Sequence, residues 1–360
     1  MGKNSNSGVE GASGYTFQRC CVVYLIFEGF DYLKSADYFI CMEHHEDFLF
    51  AFIDEKGHLQ KIDTYQAKKS RGDWKTDIVL CEIIGKITLV GKELVNDSHP
   101  KSDEYEHTLN FLTNKNILLQ NKRKTGEKQE SEKVQITNKT VNYQSLHKKI
   151  KTEIQSKIID GENSDFDQLD NVNFKFIDLP QGNKDWQRTL TGLSTEVLGQ
   201  VINDHEAVVT TLMKLLQDFE LVYNDNNIVL LADKTKRLTK IKIDTTFSMF
   251  KASNKSFKLW RRYADQLSKE LDIKLPIQRK AKELLENCFD YFKDIQQIEY
   301  KKIYKFVKNN TDIDAKHVSE SDCIVELYKT YMGNHKPRLE FHMVAFAVIA
   351  AYVETRGMHV

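Results

Sequence analysis

The 360-residue sequence carries no excess of either charge: 52 Lys and Arg balance 52 Asp and Glu, for a formal net charge of zero. A chain of this kind has no global basic field, so any affinity for nucleic acid must come from a local patch. The six cysteines (Cys20, Cys21, Cys41, Cys81, Cys288 and Cys323) show neither CxxC nor Cys/His ligand spacing. That excludes the common zinc frameworks, and thiols set in apolar runs read as buried thiols of a reducing cytoplasm. The most apolar stretch, Met343 to Val353, is too short to span a bilayer. The first residues hold one early lysine but no apolar core of signal-peptide length, so a cytoplasmic protein without membrane association is expected. Walker A, GxGxxG after a strand, HExxH and GxSxG are all missing. Nucleotide hydrolysis, dinucleotide redox chemistry, zinc proteolysis and α/β-hydrolase chemistry thereby lose their simplest support. With 41% hydrophobic and 29% charged residues, the chain can build the cores of two soluble domains.

What is present centres on Tyr38 to Ser70. Two runs rich in β-branched and aromatic residues flank Asp54-Glu55-Lys56-Gly57, a polar turn whose glycine can take the positive φ of a tight hairpin. Two antiparallel strands are expected, one on each side of that turn. Alternation puts Glu43, His45 and Asp47 on one face of the first strand, and Gln66 and Lys68 on one face of the second. Folding at the turn sets Asp47 nearly opposite Gln66. A carboxylate, an amide oxygen and an ammonium would then converge, a set that suits a hard divalent cation completing its shell with water and phosphate. Lys68 would hold or deprotonate a water and offset charge in the transition state of phosphodiester hydrolysis. The same residues also read as a solvated hairpin face. Adjacent His44 and His45 would point to opposite faces and so cannot ligate one metal together.

Around this hairpin, Met1 to Gly14 is rich in Gly, Ser and Asn and reads as mobile. Tyr15 to Leu33 reads as a buried helix, on which Gln18 either points at the site or completes a packing contact. After Lys68 come Lys69, Arg71, Trp74 and Lys75, which read either as contacts to a phosphate backbone with one stacking ring or as a charged loop anchored by a tryptophan. Asp77 to Val95 has helical spacing. A charged insertion near 120–140, with the basic cluster Asn121 to Lys124, looks exposed. Val172 to Ile177 reads as a strand, and 185–221 as helical. Lys234 to Ile243 reads as a strand pair or strand–helix and is the strongest basic patch outside the hairpin. From Lys255 onward helices dominate. The last of them needs cover on most sides, by its own module or by a partner or second copy.

Asp47 followed by Tyr65-Gln66-Ala67-Lys68 resembles the PD-(D/E)xK nuclease superfamily in the variant with Gln in place of the third-motif acid. The Gly11-Ala12-Ser13-Gly14-Tyr15-Thr16-Phe17-Gln18 stretch and the Glu43 to Asp47 run are similar to those of Cap-type DNA endonucleases of bacterial antiphage systems. The size of the chain is most like the nuclease subunit of Lamassu-type defence. The resemblance covers about the first eighty residues. It departs from the superfamily in two ways: Gln18 stands nearest the position of a first-helix glutamate, and no proline precedes Asp47.

The resemblance implies an α/β restriction-endonuclease-like core, a mixed sheet flanked by helices, over residues 1–222, followed by a mainly helical assembly or regulatory module over 223–360. It implies a Mg2+-dependent (or Mn2+-dependent) endonuclease acting on double-stranded DNA. Asp47, Gln66 and the Ala67 carbonyl would be metal ligands, Lys68 the water-activating residue, and Glu43 and Gln18 would support them. The implied partners are an SMC-like ATPase and an accessory subunit, with a homo-oligomer as the active form. Gln18 and Gln66 in place of acids also leave open a nuclease fold without chemistry, serving as a DNA-binding or scaffolding subunit. A nuclease acting on RNA is a further alternative.

Overall fold

The computed structural model describes residues 7–44, 46–123, 128–158, 164–220, 231, 233–294 and 296–356. The chain divides into two compact units, one of residues 1–197 with 205–244 and one of 198–204 with 245–360.

The first unit is built on a mixed sheet. Helices α1 (Ser7–Glu28) and α2 (Phe30–Ser35) lead into strands β1 (Tyr38–His44), β2 (Glu46–Ile53), β3 (Leu59–Lys68) and β4 (Trp74–Lys75). Helix α3 (Ile78–Asn96) follows, then β5 (Lys101–Thr113), β6 (Ile117–Gln120), β7 (Ser131–Val134), β8 (Thr140–Asn142), α4 (Lys148–Lys157) and β9 (Val172–Phe176). Helices α5 (Asn183–Leu198) and α6 (His205–Glu220) and the short strand β10 (Leu238–Thr239) complete it. The main sheet has seven strands in the order β10-β1-β2-β3-β5-β9-β8, and β4-β6-β7 form a small second sheet. β3, β5 and β9 run parallel, while β10, β1, β2 and β3 are successively antiparallel, as are β9 and β8.

The Asp54–Gly57 turn forms as its sequence demands. The Gly57 N–H donates to the Asp54 carbonyl (2.9 Å), Gly57 takes φ 80°, and Asp54 Oδ1 accepts from the Lys56 and His58 N–H groups. The segment before it differs from the expectation of one strand. Residues 38–53 are two antiparallel strands, paired from Tyr38↔Phe52 to Met42↔Phe48 and again at His44↔Glu46, with Glu43 at φ 51°. Both β1 and β2 are buried on both faces, as Phe39 with Ile40 and Leu49 with Phe50 show. Such runs lack the alternation that sets a strand apart, and the polar run from Glu43 to Asp47 is the reversal between them. His45 lies outside the described residues, as does the His44 side chain, so the reading of those two rings is not carried further.

Alternation along the strands divides the core. Phe39, Cys41, Leu49, Ile62 and Phe111 pack against Leu80, Ile84 and Ile87 of α3 and Ile150 and Ile154 of α4. Helix α3 begins where Asp77 caps it, its carboxylate accepting from the Leu80 N–H at 2.9 Å. On the opposite face Phe48 stacks on Tyr65 at 4.8 Å between centroids, and Phe50 meets the same ring edge-on at 6.1 Å. α1 packs on β2 and β3 and against α6.

Three further expectations change. Residues 7–14 belong to α1, so the helix starts two turns before Tyr15. The charged insertion contributes β7, whose Val134 is fully buried and whose backbone pairs with β6. One apolar residue in a polar run is too weak a pattern to announce a strand. In the basic stretch, Lys236 is buried, and Arg237 bonds the Leu231 carbonyl (2.9 Å) and lies 4.2 Å over the Phe39 ring. The charges of Lys236 and Arg237 are turned inward, while Lys234 and Lys242 stay exposed. Lys124 of the other basic cluster, and 228–230 and 160–163, are outside the described residues.

The second unit is helical. Helix α7 (Lys240–Glu270), whose first residues belong to the first unit, is followed by α8 (Leu275–Gln278), α9 (Ala281–Lys293), α10 (Ile298–Asn309), α11 (Glu320–Asn334) and α12 (Phe341–Arg356). The apolar last helix is covered within this unit: every residue from Val344 to Val353 is buried, and α9, α10 and α11 pack on it. Arg356 closes the bundle by donating to the Val307 carbonyl (2.8 Å), the Asn310 carbonyl (2.9 Å) and Asp314 (3.0 Å). Among the described residues no helix is long and apolar enough to cross a membrane, and all six cysteines are free and buried.

Two residues of α3 test the packing. Ile84 is fully buried and Val79 is 57% exposed. Ile84→Ala is expected to lower unfolding free energy by about 2–5 kcal/mol and Val79→Ala by no more than about 0.5 kcal/mol. Urea denaturation of both variants measures the difference.

Candidate active site

The site forms where β2 begins and β3 ends. The Phe48↔Tyr65 pair sets the register, and one step further along the two strands Asp47 comes opposite Gln66. The Ala67 N–H donates to Asp47 Oδ2 at 2.7 Å, a bond from the backbone of β3 that fixes the carboxylate in place. Lys68 Nζ stands 3.9 Å from the same oxygen, on a side chain 36% exposed. The side chains of Gln66 and Gln18 also hydrogen-bond to Asp47. Gln18 therefore reaches the site from α1, which decides between its two readings from sequence. Its amide nitrogen serves Asp47, and its Oε1 is buried without a partner.

Glu43 joins these residues by a different route from the one expected. It does not share a strand with Asp47; it lies on β1, across the tight reversal, beside Asp47 on β2. The charge of Asp47 acts on Glu43 through space.

The electrostatics show what the site lacks. Burial lifts the Asp47 carboxyl above its ordinary value, while the Lys68 ammonium and the bonds from Ala67, Gln66 and Gln18 pull it back. Glu43 is exposed at its surface but closely surrounded by protein. Partial burial, with the charges of Asp47 and Glu220, raises its carboxyl to about 7, against the opposing pull of Lys68. Glu46, 8% exposed, is raised to about 8 by burial first and then by Asp47. Three carboxyls thus share one nearby ammonium, so the site favours protons or a cation.

The donor set is oxygen throughout: the Asp47 carboxylate, the Gln66 and Gln18 amides and the Ala67 backbone carbonyl. Among the described residues there is no group of three or more His, Cys, Asp or Glu suited to a metal. A soft or tetrahedral metal does not fit such a site. A hard cation that takes one or two carboxylates and otherwise keeps water or substrate oxygens does, and the unpartnered Gln18 oxygen is one position it would satisfy.

The basic residues after Lys68 are arranged unequally. Lys69 Nζ donates to Ser13 Oγ at 3.1 Å and lies 4.8 Å from the centroid of the Trp186 ring, so α1 and α5 hold it. Trp74 is half-buried; its indole N–H donates to Thr113 Oγ1 at 3.0 Å and its ring meets Phe111 at 5.1 Å. Arg71 and Lys75 are exposed. Two residues near the site had no signal in the sequence. Glu220, the last residue of α6, forms an ion pair with Arg19, the neighbour of Gln18. Nothing in the local pattern of α6 distinguishes this glutamate from a solvated helix end.

Residues 6–220 match the family model described as Cap4, dsDNA endonuclease domain, over more than half of the chain. The chain belongs to this family. No curated protein and no solved structure matched it. All the residues assembled above, from Gln18 to Glu220, lie within the Cap4 nuclease domain. The nuclease assignment thus coincides with the part of the chain where the sheet and α1 meet around Asp47.

The raised carboxyl of Glu46 makes the stability of this Cap4 domain depend on pH. Between the ordinary value of 4.5 and the folded value of about 8, the folded chain keeps a proton that the unfolded chain has lost. Stability contributed by Glu46 is therefore present below that window and is lost as pH rises through it. Relative to the wild type, Glu46→Gln is expected to gain on the order of 4–5 kcal/mol between the acid and alkaline ends of the window, since the window spans about 3.5 pKa units of about 1.4 kcal/mol each. Urea denaturation in EDTA at both ends measures it; equal slopes for the two proteins would remove Glu46 as the cause.

Proposed function

We propose that the protein is a metal-dependent endonuclease that hydrolyses phosphodiester bonds of double-stranded DNA as the effector of a bacterial antiphage system. One observation carries the reading: within a Cap4 dsDNA endonuclease domain, the Asp47 carboxylate is bonded by Ala67, Gln66 and Gln18 and faces Lys68 at 3.9 Å. In this reading Asp47, Gln66 and the Ala67 carbonyl hold Mg2+ or Mn2+, with Gln18 and Glu43 in support. The bound cation would supply positive charge to the scissile phosphate and lower the pKa of a water. Lys68, exposed enough to meet substrate, orients or deprotonates the attacking water and offsets the charge that develops on the phosphate. Arg71 and Lys75, exposed beside β3, supply phosphate contacts that align the duplex. Lys69 and Trp74 contribute only where DNA displaces Lys69 from Ser13 and Trp186, because Trp74 is already committed to Thr113 and Phe111.

The reading extends to regulation. The nuclease domain would span 1–222 and an assembly or regulatory module 223–360, acting in the cytoplasm. An SMC-like ATPase with an accessory subunit, as in Lamassu-type systems, would release the activity by driving oligomerisation. The weak complement of acids supports this: a site with one firmly placed carboxylate binds its cation poorly until assembly or substrate adds oxygens. The same amides, Gln18 and Gln66, favour the second reading, a nuclease fold that binds DNA without cutting it.

The test is degradation of plasmid DNA by the purified full chain across protein concentration, with Mg2+ or Mn2+, beside Asp47→Ala and Lys68→Ala and an RNA substrate of equal length. Cleavage of DNA that EDTA abolishes, and that each substitution lowers by about 100-fold or more, is the expected result. Lys68→Ala cutting as fast as the wild type would displace the site from this hairpin. No cutting at any concentration, with the ATPase partner added, would establish the non-cutting subunit, and preference for RNA would change the substrate.

A further inference from the structure

The zero net charge of the chain hides an uneven distribution. The helical unit, 198–204 with 245–360, holds more Lys and Arg than Asp and Glu, and the first unit the reverse. Several cations of the helical unit are paired: Lys282 with Glu286 at 3.8 Å, Lys316 with Asp312 at 2.9 Å and Lys329 with Glu270 at 2.9 Å. Helix α10, which lies outside the matched nuclease domain, concentrates cations without partners. Tyr300, Ile303 and Val307 are its buried side, and α9 and α12 pack on it. Its only acid, Glu299, is taken by Lys302 at 2.9 Å. Lys301, Lys305 and Lys308 follow at i, i+4 and i+7, so they form one stripe about 10 Å long, turned away from the buried side. Lys305 and Lys308 are exposed and Lys301 is half-exposed. Among the described residues no carboxylate lies within ion-pair distance of these three ammoniums.

The fold gains little from this arrangement. Like charges three and four residues apart on a helix repel, and Lys305 has such a neighbour on each side. A solvated helix end accounts for Lys308, since the C-terminal end of a helix favours a cation, but not for Lys301, which stands in the first turn, at the disfavoured end. From this arrangement we infer that the Lys301, Lys305 and Lys308 face of α10 binds the phosphate backbone of double-stranded DNA and gives the helical unit a sequence-independent hold on the duplex. Charge complementarity carries the inference. One DNA strand presents a phosphate about every 3.4 Å of helix axis, so a stripe of about 10 Å spans some three nucleotides, and each ammonium can reach its own phosphate. The inference rests on the double-stranded DNA reading above and adds to it a surface that contains none of the residues around Asp47. Contacts of this kind fix the position of a duplex without reading its sequence.

The test is binding of the full chain to a short double-stranded oligonucleotide in EDTA, followed by fluorescence anisotropy across a range of salt concentrations. The wild type is compared with a triple variant, Lys301→Gln, Lys305→Gln and Lys308→Gln, and with a control, Lys282→Gln, Lys316→Gln and Lys329→Gln, which removes the same charge from paired lysines. Each phosphate contact contributes about 0.9 to the slope of log affinity against log salt. The α10 triple variant is expected to lower that slope by about 2–3 and the affinity at low salt by at least about tenfold, and Lys305→Gln alone to lower the slope by about 1. The control keeps the wild-type slope. Glutamine matches lysine in helix propensity and removes the repulsion, so the melting temperature of the α10 variant is expected to be no lower than that of the wild type. An α10 variant with the wild-type slope would overturn the proposal and leave an acidic protein as the partner this face fits. Equal losses in both triple variants would overturn it in favour of a general charge effect. A wild type that binds no duplex would also overturn it, while plasmid cleavage that depends on Asp47 and Lys68 would still uphold the nuclease reading. DNA binding that depends on α10 in a chain that never cuts would uphold this surface and overturn the nuclease reading.

Discussion

The bond from the Ala67 N–H to the Asp47 carboxylate depends on a strand register that has little freedom to change. Phe48 and Tyr65 stack across β2 and β3, and Phe50 closes on the same ring. A slip by one residue would turn these aromatic rings to the other face of the sheet, into the space of α3, and expose the residues that now fill it. The hydrophobic pairing of the two strands therefore positions the polar residues beyond it. Asp47 meets the backbone of Ala67 and the side chains of Gln66 and Lys68 because Phe48 meets Tyr65. The rest of the site is assembled on that pair: α1 brings Gln18 to the carboxylate from one side, and the reversal between β1 and β2 returns Glu43 to it.

Charge is the second constraint on this arrangement. Glu43, Glu46 and Asp47 surround a single nearby ammonium, and the first two hold their protons close to neutrality. Protonation of Glu43 and Glu46 relieves the repulsion among these carboxyls.

The zero net charge of the chain has its counterpart in how the basic residues are used. Lys69 rests on Trp186 and Ser13, Arg237 on Phe39, and Arg356 on the last carbonyls of α10. These cations serve packing and helix termination, so composition overstates the charge available to a phosphate backbone. Arg71 and Lys75 remain at the surface next to β3.

The sequence by itself determined what depends on near neighbours. The Asp54–Gly57 turn, the shared face of Gln66 and Lys68, the helix after Asp77 and the helical end of the chain were all legible because turn chemistry, period-two alternation and helical period are local. The division of residues 38–53 into two strands was not, since strands buried on both faces lose their alternation and only a positive φ at Glu43 marks the reversal. Tertiary structure alone decided that Gln18 bonds Asp47, that Glu43 confronts it from a neighbouring strand, and that Arg19 meets Glu220 from 201 residues away. Those contacts follow from how helices pack on the sheet, and an isolated glutamate at a helix end has the same local pattern whether it faces solvent or a buried partner.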